Sequence, residues 1–136
     1  MSLIEWNETL VLGISVIDNQ HQKLISLINI LYEEIEKETI TVYSVKKAID
    51  ELFKYAAIHF ITEEAYFKKF GYKETAEHIE EHKYFLKSAE NLRASYKPGK
   101  VDIAVDILNF AVDWYLEHIK KTDRKYAQFF IDNGLK

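Results

Sequence analysis

The chain has no cysteine among its 136 residues. That absence removes disulfides, thiolate zinc sites, iron–sulfur clusters, covalent c-type haem and cysteine nucleophiles together. Four Gly and one Pro leave little turn material, so the elements are expected to be long and uninterrupted, as in an all-helical fold. No apolar run approaches the roughly 20 residues needed to span a bilayer. The opening stretch MSLIEWNETL has no basic segment followed by an apolar one, so no signal peptide is expected. Basic residues form only isolated pairs such as Lys46-Lys47 and Lys120-Lys121, and the formal net charge is −4. Neither a nucleic-acid partner nor membrane insertion is expected, and the chain reads as a soluble cytoplasmic protein.

What is present is helical periodicity. At 48% hydrophobic and 29% charged, the chain has enough apolar material for one domain, taken as residues 1–136. Leu24, Ile25, Ile28, Leu31, Tyr32 and Ile35 recur at spacings of three and four between Ile17 and Glu36, with His21 one turn earlier on the same stripe. Thr39-Ile40-Thr41 breaks this helix, and Ser44 is a candidate N-cap for the next. The second helix aligns Val45, Ala48, Ile49, Leu52, Ala56, His59 and Glu63, and Gly71 stops it. A third begins near Thr75, carries His78, His82, Phe85, Ala89, Leu92 and Tyr96, and ends at Pro98-Gly99. The fourth follows a candidate N-cap at Asp102, runs through Ala104, Ile107, Ala111, Trp114 and His118, and continues past Tyr126, Phe129 and Phe130 to Asn133-Gly134. Four such helices joined by short turns make an up-down-up-down four-helix bundle over residues 15–132. Residues 1–14 read as an extended N-terminal arm, with Trp6 packed across one end of the bundle.

All five histidines fall on inward stripes and draw on all four helices. One histidine on an apolar face is ordinarily a core residue bonded to a carbonyl. Five of five is a different matter. His59 and Glu63, like His78 and His82, stand four residues apart, about 40° around a helix, so each pair can bite one metal centre. Asp123 follows His118 by five residues, about 140° on an ideal helix. It joins the same centre if the helix is distorted there, or else it reaches a second metal. Glu64, beside Glu63, points off the seam and reads equally well as a solvated charge. Five imidazoles with two carboxylates suit a borderline divalent metal such as iron, and they are too many for one tetrahedral zinc. Two irons bridged by both carboxylates and a solvent oxygen fit the count. A three-and-two division of the histidines then leaves one iron a vacant position for a small ligand.

Trp6, Gly13-Ile14, IDNQH (17–21), HFITEE (59–64), HIEEH (78–82) and HIKKTD (118–123), in that order and spacing, resemble the hemerythrin family in its single-domain prokaryotic form, bacteriohemerythrin. The resemblance implies two Fe ions that bind O2 reversibly, and that also admit NO or small anions such as azide. It places His78, His82 and His118 on the saturated iron, and His21 and His59 on the iron with the open site. Glu63, Asp123 and an oxo or hydroxo group bridge the two. Trp114, Tyr115 and Phe67 become candidates for the O2 pocket. Two departures stand out. The family usually reads Trp-Leu just before the last histidine, where this chain has DWYLEH, and relatives often carry Met near Phe67. Tyr115 is then either a core aromatic bonded to a carbonyl or a donor to the bound oxygen ligand.

The role implied is a carrier or reservoir and not an enzyme, with weak peroxidase or oxidase activity as a side reaction. A ferritin-like di-iron oxidase needs Glu three residues before His, and here those positions hold Asp18, Ala56, Thr75, Ile79 and Tyr115. The alternative role is a sensor of O2, NO or redox state acting through a separate protein. No signalling module is apparent within the chain, which favours the carrier.

Overall fold

The computed structural model describes residues 3–37, 41–95 and 101–136. Four long helical rods form the bundle: α1 (Ser15–Glu36), α2 (Val42–Phe70), α3 (Thr75–Ser95), and a fourth made of α4 (Val101–Glu117), a π-helical turn (His118–Asp123) and α5 (Arg124–Asp132). α1 packs on α2 and α4, and α3 packs on the same two, so the helices stand at the corners of a square. No strand occurs among the described residues, and no helix there is long and apolar enough to cross a membrane.

The helix ends follow from local chemistry, with two corrections to the sequence reading. Thr41, not Ser44, caps α2: its hydroxyl accepts from Ser44 N at 3.0 Å, while Ser44 Oγ accepts from Thr41 N at 2.8 Å. This is a capping box in which a serine hydroxyl does the work usual for Glu or Gln. Asp102 lies inside the first turn of α4, where a carboxylate favours the positive end of the helix dipole, and is not its cap. Gly71 ends α2 in the left-handed conformation, φ 68°, with its N–H on Phe67 O at 2.9 Å. The expected break at Thr39-Ile40 and the stop at Tyr96, Pro98 and Gly99 lie outside the described residues.

The arm does not cross an end of the bundle. It runs along the flank of α1. The Asn29 side chain accepts from Leu3 N and Ile4 N and donates to Ile4 O, and half-buried Trp6 lies in a groove with Gln22, Ile25, Ser26 and Asn29. A short 3-10 turn (Glu8–Leu10) interrupts the extended course. At its far end the Asp18 carboxylate accepts from Leu12 N and Gly13 N at 2.9 and 3.0 Å. Arg124 Nη2 donates to Thr9 O and Val11 O. Removing the Asp18 acceptor leaves the Leu12 N–H unpaired at a partly buried turn, while the exposed Gly13 N–H turns to water, so Asp18→Ala is expected to cost about 1–3 kcal/mol, read from the urea midpoint at unchanged slope.

The core divides into two apolar clusters. One joins Leu24, Ile28, Leu31, Phe60, Phe85, Ile107 and Ala111 with their neighbours. The other joins Leu12, Ile14, Ile17, Phe67, Tyr126 and Phe130. Between them lies a polar layer built from the histidines.

Candidate metal centre

Seven buried polar residues make that layer: His21, His59, Glu63, His78, His82, His118 and Asp123, each 0–2% exposed. Every ring turns its Nε2 inward. His21 Nε2 lies 3.1 Å from His59 Nε2, and His78 Nε2 lies 3.1 Å from His118 Nε2. The carboxylates stand between these groups. Asp123 places Oδ2 2.9 Å from His21 Nε2, and Oδ1 3.0 and 2.8 Å from the Nε2 atoms of His78 and His118. Glu63 Oε1 is 3.1 Å from both His59 Nε2 and His82 Nε2, and its Oε2 is 3.5 Å from His78 Nε2.

The π turn solves the five-residue spacing. In a π turn the hydrogen bonds run from i to i+5 and the turn is wider than that of an α-helix, so i+5 comes much closer to the face of i than an α-helix would place it. The wider turn therefore swings Asp123 back beneath His118 and admits one extra residue without rotating α5 off its face. The distortion has a clear mechanical purpose.

These contacts suit a cation better than they suit each other. Asp123 Oδ1 and Glu63 Oε2 are buried without a hydrogen bond, although ring nitrogens lie within 3.0 and 3.5 Å of them. Paired Nε2 atoms at 3.1 Å can bond only if one of each pair carries a proton. Lone pairs that converge without aligning are what a coordination shell supplies. Two groups of donors are close enough to share an ion: Glu63 with His78, His82 and His118, and Asp123 with His21 and His59. The residues fit.

Residues 12–130 match the family described as Hemerythrin HHE cation binding domain. The chain belongs to the hemerythrin family. It is 37% identical over 129 residues to the bacteriohemerythrin of Clostridium acetobutylicum, covering 89% of this chain and 96% of that one. To the bacteriohemerythrin of Stenotrophomonas maltophilia it is 32% identical over 127 residues, 93% of this chain and 81% of that one. Its fold matches a crystal structure of wild-type hemerythrin with a TM-score of 0.80 at 25% identity, covering 93% and 97% of the two chains.

Within this layer the carboxylates and imidazoles shift one another. Burial raises the Glu63 and Asp123 carboxyls, and so does their proximity to each other for Glu63. The facing imidazoles outweigh this and hold both well below their usual range. Burial depresses His59 and His118, but the carboxylates prevail, raising them to about 9 and about 10. His78 is raised in the same way, whereas for His21 burial wins and its pKa is lowered.

Three of the outer ring nitrogens have side-chain partners, and two of these partners the sequence did not single out. His59 Nδ1 bonds Gln20 Oε1 at 2.7 Å, and Gln20 Nε2 donates to Thr62 Oγ1. His118 Nδ1 faces Glu81 Oε1 at 3.4 Å, and Thr122 Oγ1 donates to the same oxygen at 2.9 Å. Glu64, which read equally well as a solvated charge, meets His82 Nδ1 at 3.0 Å. All three acceptors lie on a helix other than that of their histidine, so spacing within one helix gave no signal for them.

Of the three pocket candidates, two sit in the half formed by His78, His82 and His118. Trp114 stacks on His118 (centroids 4.3 Å, 14°), and Phe67 lies 4.7 Å from His78. Phe60, a further aromatic there, stacks on His82 at 3.9 Å. Tyr115 alone of the three meets the other half, edge-on to His21 at 5.8 Å. Its hydroxyl is buried without a partner, so the carbonyl bond considered for it is absent. Tyr126, read from the sequence only as a packing aromatic, is a second such phenol, 5.5 Å from His78. Burial, then Asp123 and Glu63, pushes both phenols well above their ordinary value.

Proposed function

We propose that this chain binds O2 reversibly at a non-haem di-iron centre, as a carrier or reservoir in the cytoplasm. The observation that carries the reading is the closed layer of five inward Nε2 atoms around two carboxylates, with lone pairs that do not satisfy one another. His78, His82 and His118 would hold one iron, His21 and His59 the other, and Glu63 and Asp123, each within reach of both histidine sets, would bridge them. When bound, the iron pair supplies two electrons' worth of redox capacity and an open position for O2, NO or a small anion such as azide.

The rest falls to the chain. Phe60, Trp114 and Phe67 cover the imidazoles of the three-histidine half and keep water from them. Tyr115 stands on the two-histidine side, where the vacant position belongs. Its high pKa keeps the phenol protonated, so it offers a hydrogen bond and is a poor source of protons. Neither Tyr115 nor Tyr126 can serve as a base near neutral pH, in keeping with binding rather than turnover. Tyr115→Phe removes the donor and keeps the ring. It is expected to change the autoxidation rate severalfold, and equal rates in the two proteins would remove Tyr115 from the pocket.

The test of the whole reading is iron content with visible absorption, first reduced without air and then under air. About two irons per chain and a charge-transfer band that appears with O2 and vanishes when O2 is removed are expected. Direct passage to a stable ferric spectrum would sink the carrier. One contact favours a sensor as the second reading. Arg124, next to Asp123, holds the arm through Thr9 O at 2.6 Å, so a shift of Asp123 would reach the surface. A co-purifying partner whose affinity changes with O2 would decide for that role.

A further inference from the structure

We infer that the two metal positions are held with unequal strength, the one on His78, His82 and His118 being retained while the one on His21 and His59 exchanges with divalent metal in solution. The inference rests on the di-iron reading above. The bridging carboxylates are shared, so any difference must come from the histidines and from what stands behind them. Behind the three-histidine half are two carboxylates: Glu64 accepts from His82 Nδ1 at 3.0 Å, and Glu81 from His118 Nδ1 at 3.4 Å. Thr122 Oγ1 donates to the same Glu81 oxygen at 2.9 Å and fixes its position. An imidazole bonded to a carboxylate is a more basic ligand, and it is locked in the tautomer that presents Nε2 to the metal.

The other half lacks this support. His59 donates to Gln20, a neutral amide whose orientation is set by its own bond to Thr62. His21 Nδ1 is buried with no acceptor at all. Nothing fixes the His21 tautomer from outside, and nothing adds electron density to it. Aromatic cover differs in the same sense. Phe60 stacks on His82 and Trp114 on His118, with Phe67 4.7 Å from His78, whereas His21 has only edge-on ring contacts, with Tyr115 and His59. Outer partners of this kind change metal affinity by about 10–100-fold. Two on one side and none charged on the other put the expected ratio at or above that range.

The experiment is anaerobic removal of ferrous iron from the full chain by a colour-forming ferrous chelator, with iron content measured first. Wild type should release two equal portions, one iron each, at rates at least tenfold apart. Gln20→Glu places a carboxylate behind His59 and should slow the fast portion about tenfold while leaving the slow one alone. Glu81→Gln keeps an acceptor for Thr122 but removes the charge, and should quicken only the slow portion. Two irons leaving in a single phase, or both variants moving both phases alike, overturn the inference and leave the di-iron reading standing. A content that stays near one iron per chain after loading with excess ferrous iron overturns that reading and the inference together.

Discussion

Stripping the metal with a chelator near neutral pH is expected to lower the melting temperature by roughly 20 °C. A ligand bound only by the folded state adds stability by mass action, about 4 kcal/mol per site at a thousandfold excess over its dissociation constant. A second site at least tenfold weaker adds no more than about 2.7 kcal/mol, so the two give about 7 kcal/mol, and a chain of this size shifts by about 3 °C per kcal/mol. The metal-free layer does not collapse outright, because two imidazoliums can balance the Glu63 and Asp123 carboxylates. Even so, Glu63 Oε2, Asp123 Oδ1 and His21 Nδ1 are left buried without hydrogen bonds, and each such group costs about 1–3 kcal/mol. Differential scanning calorimetry of loaded, stripped and reloaded protein measures the effect. Equal melting temperatures would mean a bundle whose histidines are incidental to metal.

The bundle itself was readable because its helices are regular and their apolar stripes long. The polar residues were readable because all five histidines interrupt those stripes, and two pairs, His59 with Glu63 and His78 with His82, stand at a spacing an α-helix can chelate. The limits are just as physical. The i,i+5 spacing of His118 and Asp123 announced a distortion, but not whether the helix would break, tighten or widen; the π turn is one of several answers, and packing of α5 onto Phe67 and Tyr66 favours it. Gln20, Glu64 and Glu81 bond histidines on neighbouring helices, and periodicity within one helix is silent about partners across a gap. Trp6 illustrates the same limit. Its aromatic bulk demanded a packing site, but the choice between an end and a flank of the bundle came from Asn29, half the length of α1 away from the arm's junction with it. Thr41 and Ser44 are both hydroxyls that can cap, and which one leads depends on where the backbone turns.

Acid is expected to weaken metal binding by at least about a hundredfold per pH unit between neutrality and the mildly acidic range. Metal takes neutral imidazole. In the metal-free chain His59 and His118 titrate at about 9 and about 10, so near pH 7 both carry protons that loading must expel. These two protons alone give two powers of ten per pH unit, and His78, raised as well, adds to that in the mildly acidic range. The sign for the metal-free fold is opposite. His59 and His118 are raised above the 6.5 of an unfolded histidine, so their pairing with Glu63 and Asp123 stabilises fully below 6.5 and is lost as pH rises through 9 and 10. The carboxylates are lowered from 4.5 and 3.8, so their share is present above those values and is lost as pH falls toward the folded ones. His21, lowered from 6.5, subtracts stability below that point. The stripped protein should therefore be most stable near pH 6.5, while the gap between loaded and stripped forms widens steadily toward alkaline pH. Melting temperatures of both forms across that range, with proton release counted by indicator dye during loading, test the two halves of the argument at once. No proton release near pH 7 would mean that the histidines wait neutral for the metal, and a gap constant with pH would say the same.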